Sequence, residues 1–316
     1  MEPDRLDYSP ILTRPKLTWP GNKRVALWVV PNVEHYEYLP VVRVRNPWPR
    51  MPHPDVLNYG VRDYGNRVGL WRMIEVLDQH KLPITVSLNL ANYEHYPEIM
   101  QAQESRNWEI LCHGLYNTQY VWNMPIDEER ALIAECVATH KRLTGRDLPG
   151  WFSPAASNTV NTADLVAEAG ITYYSDWYHD DQPTPLRVKN GKTKAGRLVS
   201  VPYTMDINDF YLTRTQIEGE EFAQMAIDQF DQLYRDAVDG SGRVMCVALH
   251  PFIMGQPHRI RHLDRLLRHM LAHDGVWPAT GLQIARHYID HHLPAVEAHL
   301  ATEAPARVPH ALRQGG

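Results

Sequence analysis

The stretch VALWVVPNVEH, residues 25–35, sets a run of apolar and β-branched residues directly ahead of an asparagine, a glutamate and a histidine. A short apolar run with polar residues at its end reads as a strand buried on both faces that delivers its last side chains to the rim of a sheet. The same pattern recurs at Ile84–Leu88, Trp108–Cys112, Ile171–Ser175, Leu198–Tyr203 and Val244–His250. Between these runs lie helical patterns. Asn66–His80 carries Val68, Trp71, Ile74 and Leu77 on one stripe, Ile126–Leu143 is closed by Gly145, and Thr162–Ala169 is closed by Gly170. Further helices fit Ile217–Ala237, Ile260–His273 and Gly281–His292. Strand and helix in alternation predict a parallel sheet with helical crossovers, and a length of 316 residues favours a deformed (β/α) barrel over an open doubly wound sheet. No GxGxxG or GxxxxGK[ST] motif occurs, which speaks against dinucleotide and nucleoside-triphosphate binding.

Composition narrows the class. The chain is 44% hydrophobic and 22% charged, with 32 Lys and Arg against 37 Asp and Glu, giving a net charge of −5. That is the balance of an ordinary globular protein, without the basic footprint nucleic acid requires. The apolar run around Val25–Pro31 is too short to span a bilayer. Small-molecule substrates are therefore the expected partners, with no nucleic acid and no membrane. Three cysteines without CxxC spacing and a start, MEPDRLDYSP, lacking a basic-then-apolar leader lead to the expectation of a cytoplasmic location. The chain reads as a single domain over residues 1–316, its core about 20–292, followed by a flexible C-terminal tail. The Pro-rich stretch Pro40–Pro54 reads as an irregular loop, either a lid or substrate-binding segment or a merely decorative insertion, and a homodimer or homotetramer is expected with this loop and its Trp48 near a subunit boundary or over the pocket.

In β/α folds the site forms at the carboxyl ends of the strands. Four runs end in chemistry-bearing residues: Asn32-Val33-Glu34-His35, His113-Gly114-Leu115-Tyr116-Asn117, Asp176-Trp177 and His250-Pro251. Carboxylates and imidazoles converging from separate strands suit metal-assisted or acid/base hydrolysis. His258, eight residues after His250, stays close enough to the mouth to be a candidate. His258/His262, His269/His273 and His287/His291 have the i,i+4 spacing that can chelate zinc, but the last two pairs fall on helix faces expected to be solvated. Cys112 beside His113 reads as a buried structural residue, since neighbours on a strand point to opposite faces. The absence of GxSxG speaks against a serine hydrolase.

The segments RDYGNRVGLWR (62–72), LCHGLYNTQY (111–120), GWFSPAASNT (150–159), YYSDWYHDDQP (173–183), GRLVSVPYTMDIND (196–209) and ALHPFIMGQPHR (248–259) resemble those of the polysaccharide deacetylase superfamily, carbohydrate esterase family 4. Within it they are similar to the cytoplasmic branch that holds cofactor-independent allantoinases and cyclic imide hydrolases. The resemblance implies a deformed (β/α) barrel in which an Asp–His–His metal triad polarises an acyl carbonyl, an Asp acts as base and a late-strand His as acid. Carried over by motif, Glu34 falls at the metal-binding acid, Asn32 at the base, His113 and Asn117 at the two metal histidines, and His250 at the general acid. Phe152 stands where the family has the Arg that orients the base.

Those departures are chemically linked. Asn32 cannot accept a proton as a carboxylate would, and Asn117 is a poorer zinc ligand than imidazole. Expected catalytic residues are Glu34, His250 and Asp176; expected substrate-binding residues are Asn32, Tyr116, Trp177, Phe152 and His258. His113, Glu34 and Asn117 form a degenerate metal site, so the cofactor is either none or a weakly bound divalent metal such as zinc. In one reading Glu34 is the base, His250 the acid and His113 binds the carbonyl oxygen, giving hydrolysis of a non-peptide C–N bond in a small amide, cyclic imide or ureide. In another, a divalent ion is still held weakly and an N-acetylated carbohydrate is deacetylated. A third is a catalytically silent barrel that binds a carbohydrate or ureide.

Overall fold

Val25–Val33 forms strand β1, nine residues all buried, and the rest of the sheet is built outward from it. The computed structural model describes residues 5–39, 54–189, 197–215 and 217–303. Following β1 come α1 (Val56–Tyr64), α2 (Leu70–His80), β2 (Thr85–Leu88), α3 (Asn92–His95), α4 (Pro97–Ser105), β3 (Glu109–Cys112), α5 (Ile126–Thr144), β4 (Gly150–Trp151), α6 (Thr162–Glu168) and β5 (Tyr173–Tyr174). The chain continues through β6 (Thr184–Arg187), β7 (Arg197–Ser200), α7 (Gly219–Asp236), β8 (Arg243–Leu249), α8 (Ile260–Leu271), β9 (Val276–Pro278), α9 (Gly281–His291) and α10 (Leu293–Glu303). The strand order is β6-β7-β5-β4-β3-β2-β1-β8, with β9 also paired to β1. All pairs are parallel except β6 with β7.

The result is a mixed sheet curled into a half-barrel and wrapped by helices, the deformed (β/α) barrel the sequence predicts. The remaining side is drawn together by irregular chain rather than a strand ladder. Ala248 N–H donates to Ile207 O at 3.0 Å, and Val244 N–H to Asp181 O at 2.8 Å. Alternation along the strands divides the core in two. Val25, Leu27 and Val29 of β1 join Met245, Val247 and Leu249 of β8 in a cluster with Leu70, Met73, Ile74 and Leu77 of α2. Ala26, Trp28 and Val30 face the barrel interior with Cys246, Phe152, Tyr173, Tyr203 and, from α9, Ile284 and Tyr288.

The six predicted strands are present with shifted ends. β4 escapes the periodicity reading because Pro149 and Gly150 interrupt any apolar run there, and β6 because Pro185 sits within it, as an edge strand tolerates. The helix expected from Asn66 instead begins at Val56, where Asp55 accepts from Asn58 N–H at 3.0 Å. It passes through a π-type turn, Gly65–Gly69, in which Leu70 N–H bonds the Gly65 carbonyl. There the helix meets the turn after β8 almost backbone to backbone. A Cβ on Gly69 would overlap the Pro251 carbonyl, and one on Gly255 would overlap both Pro251 and Gly69. Beyond residue 292, where the sequence reading ends the core, α10 continues with Leu293 and Leu300 buried. The Pro40–Pro54 loop falls outside the described residues except for Pro54, and Trp48 with it.

Candidate active site

Once β1 leaves the sheet, its backbone groups need new partners. Three asparagines supply them: Asn92 Nδ2 donates to Val33 O at 2.9 Å, Asn66 Nδ2 to Glu34 O at 3.0 Å, and His35 N–H donates to Asn89 Oδ1 at 2.9 Å. Asn89 also donates to the His113 carbonyl, tying the ends of β1 and β3 together. Glu34 and His113 are thereby fixed through their own backbones.

The Glu34 carboxylate lies between two cations. Its Oε1 is 3.4 Å from His250 Nε2, and its Oε2 is 3.3 Å from Arg62 Nε. Burial alone would raise its pKa, but His250 and Arg62 outweigh that and hold it at about 2. Arg62 in turn lies over the rings of Tyr36 and Phe252, at 4.0 and 4.6 Å. On the other side of the imidazole, Asp209 is 0% exposed. Its Oδ1 is 2.7 Å from His250 Nδ1, and its Oδ2 accepts His250 N–H at 2.9 Å and Met254 N–H at 3.1 Å. Burial lowers the His250 pKa, yet Asp209 and Glu34 together push it up to about 9. The chain Arg62–Glu34–His250–Asp209 thus alternates in charge, with His250 an imidazolium at neutral pH.

His113 takes the opposite state. Burial outweighs the attraction of Glu34 and holds its pKa at about 4. Its Nδ1 is 2.8 Å from the Phe152 carbonyl, and its ring stacks on Phe152 at 4.7 Å. A carbonyl only accepts, so the single proton resides on Nδ1 and Nε2 keeps a lone pair. His113 cannot therefore donate to a substrate carbonyl, as the sequence reading has it; it can accept from a water or an N–H. Asn117 interacts with His113 and Tyr36, and its buried Oδ1 has no hydrogen-bond partner.

The other expected site residues are placed differently. Asn32 spends its amide on Tyr203 Oη at 2.7 Å, Leu249 O at 3.1 Å and Val30 O at 3.4 Å, which steadies the end of β8. Phe152 fills the position between His113 and Tyr203, stacking on the latter at 4.3 Å. Asp176 faces the β4 loop: Oδ1 accepts Ser153 N–H at 2.7 Å and Oδ2 accepts Asn158 Nδ2 at 3.0 Å. Burial outweighs those bonds and raises its pKa to about 6. The carboxylate that serves His250 is Asp209, and Asp176 instead supports the loop carrying Phe152. Trp177 packs beside His179, with rings 6.0 Å apart. His258 is exposed, 3.9 Å from Glu218. Tyr116 lines a cleft of about 430 Å³ with His35, Tyr59, Arg67, His95 and Tyr96. There His35 stacks on His95 at 4.3 Å, and burial holds its pKa at about 4. In sequence His35 directly follows Glu34, and Tyr116 directly precedes Asn117.

The triad implied by resemblance does not fit a tightly held dication here. Glu34 is already engaged by a guanidinium and an imidazolium, both of which would oppose a second positive charge. Only one imidazole and one neutral amide remain as donors.

Residues 61–174 match the polysaccharide deacetylase family. A polysaccharide deacetylase-type protein of Schizosaccharomyces pombe is 29% identical over 302 residues, covering 88% of this chain and 93% of that protein. The peptidoglycan deacetylase of Helicobacter pylori is 22% identical over 264 residues, covering 75% and 88%. Among solved structures, the Puue allantoinase superposes with a TM-score of 0.78 at 25% identity over 91% of this chain and 99% of that one. A polysaccharide deacetylase-type protein of Pseudomonas aeruginosa PAO1 gives 0.77 at 29% identity over 88% and 95%. Strand-end acid and histidines, barrel and matched segment agree: the chain is similar, over its matched segment and its fold, to the polysaccharide deacetylase family, whose enzymes are hydrolases of carbon–nitrogen bonds.

Proposed function

We propose that this enzyme hydrolyses a non-peptide C–N bond in a small amide, cyclic imide or ureide, with His250 protonating the departing nitrogen. The observation that carries the reading is the buried Asp209–His250–Glu34 array, which keeps an imidazolium ready in the free protein. An amide nitrogen leaves poorly unless it gains a proton as the bond breaks, so a positioned acid is the component such chemistry most needs. Glu34 has one carboxylate oxygen against His250 and the other against Arg62, and it serves to hold these two cations. His113 Nε2 is the better acceptor for the attacking water. The structural likeness to an allantoinase supports a small cyclic or open ureide over a polymer.

A panel of cyclic imides, allantoin-like ureides and N-acetyl sugars, assayed with and without chelator, tests this. Turnover of an imide or ureide that survives chelation is expected. Activity confined to N-acetyl sugars and abolished by chelator would overturn it.

A further inference from the structure

Away from the barrel mouth, α7 and α8 pack side by side behind β8. Asp231 on α7, His269 in the last turn of α8 and His273 just beyond it present one donor atom each, all within 4.8 Å of one another. His269 Nε2 is 2.7 Å from Asp231 Oδ1. His273 Nδ1 donates to the His269 carbonyl at 2.9 Å, so its Nε2 keeps the lone pair. A hydrogen bond from the far ring nitrogen to a carbonyl is one that metal-ligating imidazoles usually make, because it fixes tautomer and ring orientation. The rings are further held by aromatic neighbours: Phe230 and Tyr234 each lie 5.0 Å from His273, and Phe230 lies 6.0 Å from His269.

We infer that Asp231, His269 and His273 form a binding site for one divalent ion of the zinc class, clipping α7 to α8. Zinc takes N and O donors at about 2.0–2.2 Å in a tetrahedron, so donors sharing one ion lie about 3.3–3.6 Å apart. Side-chain rotation has to open the 2.7 Å His269–Asp231 contact and bring His273 in from within the 4.8 Å limit. Two imidazoles and a carboxylate suit zinc, copper or nickel better than magnesium or calcium. The C-terminal end of α8 adds carbonyl partial charge that favours a cation. Side chains of Asp231 and His269 are about one-third exposed, at 35% and 34%, which leaves a way in. Binding displaces the proton His269 shares with Asp231.

The test is calorimetric titration of the chelator-stripped full-length protein with zinc chloride, paired with thermal melts. Wild type and His113→Ala are expected to bind one zinc at this site and to melt higher with it. His273→Gln and His269→Gln, each checked for a native circular dichroism spectrum, are expected to lose at least about tenfold in affinity and most of the shift. Magnesium is expected to give no such shift. If wild type shows no saturable zinc binding, the inference falls. It also falls if binding is undiminished in the His269→Gln/His273→Gln double variant, or if His113→Ala alone abolishes it, which would place the ion at the strand ends.

Discussion

His250 Nδ1 stands 2.7 Å from Asp209 Oδ1, a carboxylate 41 residues earlier in the chain. Removing the imidazole is expected to cost most of the general-acid contribution. His250→Ala should lower kcat by about 10²–10⁴-fold while leaving KM nearly unchanged. Asp209→Asn should keep the ring but lower its pKa, moving the alkaline limb of the pH–rate profile down from near 9. Steady-state kinetics across pH checks both.

Stability should follow the same groups. The folded pKa of His250 is raised from 6.5 to about 9, so its contribution is complete below pH about 6.5 and is lost as pH rises through about 9. His113 is lowered to about 4, so the unfolded state binds the extra proton between about pH 4 and 6.5 and stability rises with pH across that window. Glu34, lowered from 4.5 to about 2, keeps its full contribution above pH about 4.5 and loses it as pH falls through about 2. Urea unfolding at a series of pH values, repeated for His113→Phe, separates these slopes.

Arg62 and Glu34 test each other. Glu34→Gln leaves a buried guanidinium without its counter-charge and is expected to destabilise by about 3–5 kcal/mol. Arg62→Met in the Glu34→Gln background should recover part of that loss without restoring turnover. A double-mutant cycle in denaturant, run beside activity, shows whether the pair is coupled.

Asp176→Asn turns one acceptor oxygen into a donor against Ser153 N–H or Asn158 Nδ2. The expected cost is about 1–3 kcal/mol of stability, with a smaller fall in kcat than His250→Ala. A loss of turnover as deep as that of His250→Ala, at unchanged melting temperature, would make Asp176 catalytic.

Asn117→His supplies a second imidazole beside His113. It should raise zinc affinity at the strand ends, measured as zinc retained after dialysis in the His273→Gln background.

The barrel and the strand-end placement of Glu34, His113 and His250 were legible because buried parallel strands announce themselves as short apolar runs and because polar residues follow them directly. Arg62 and Asp209 were not, although both lie in quoted segments. Arg62 precedes the apolar stripe from which the helix was read. Asp209 follows a strand by nine residues of irregular chain, with Asp206 equally plausible on spacing alone. Which carboxylate reaches His250 depends on how residues 201–209 cross to β8, and no local pattern encodes that crossing. The tautomer of His113 was hidden for the same reason, since the carbonyl that sets it belongs to Phe152, 39 residues away.

The near contact of Gly65 and Gly69 with Pro251, Phe252 and Gly255 in the turn after β8 means that the spacing between Arg62 and His250 is set by main chain against main chain. The two cations ride on one rigid block, and Glu34 is inserted between them from β1. Trimming the side chains around the ion chain for a bulkier substrate would leave that gauge untouched. Adding a single methyl group at Gly69 would reset it, pushing the helix from the turn and opening the ion chain at its middle. An engineer wishing to retune the acid has a backbone dial, one carbon atom wide, outside the pocket itself.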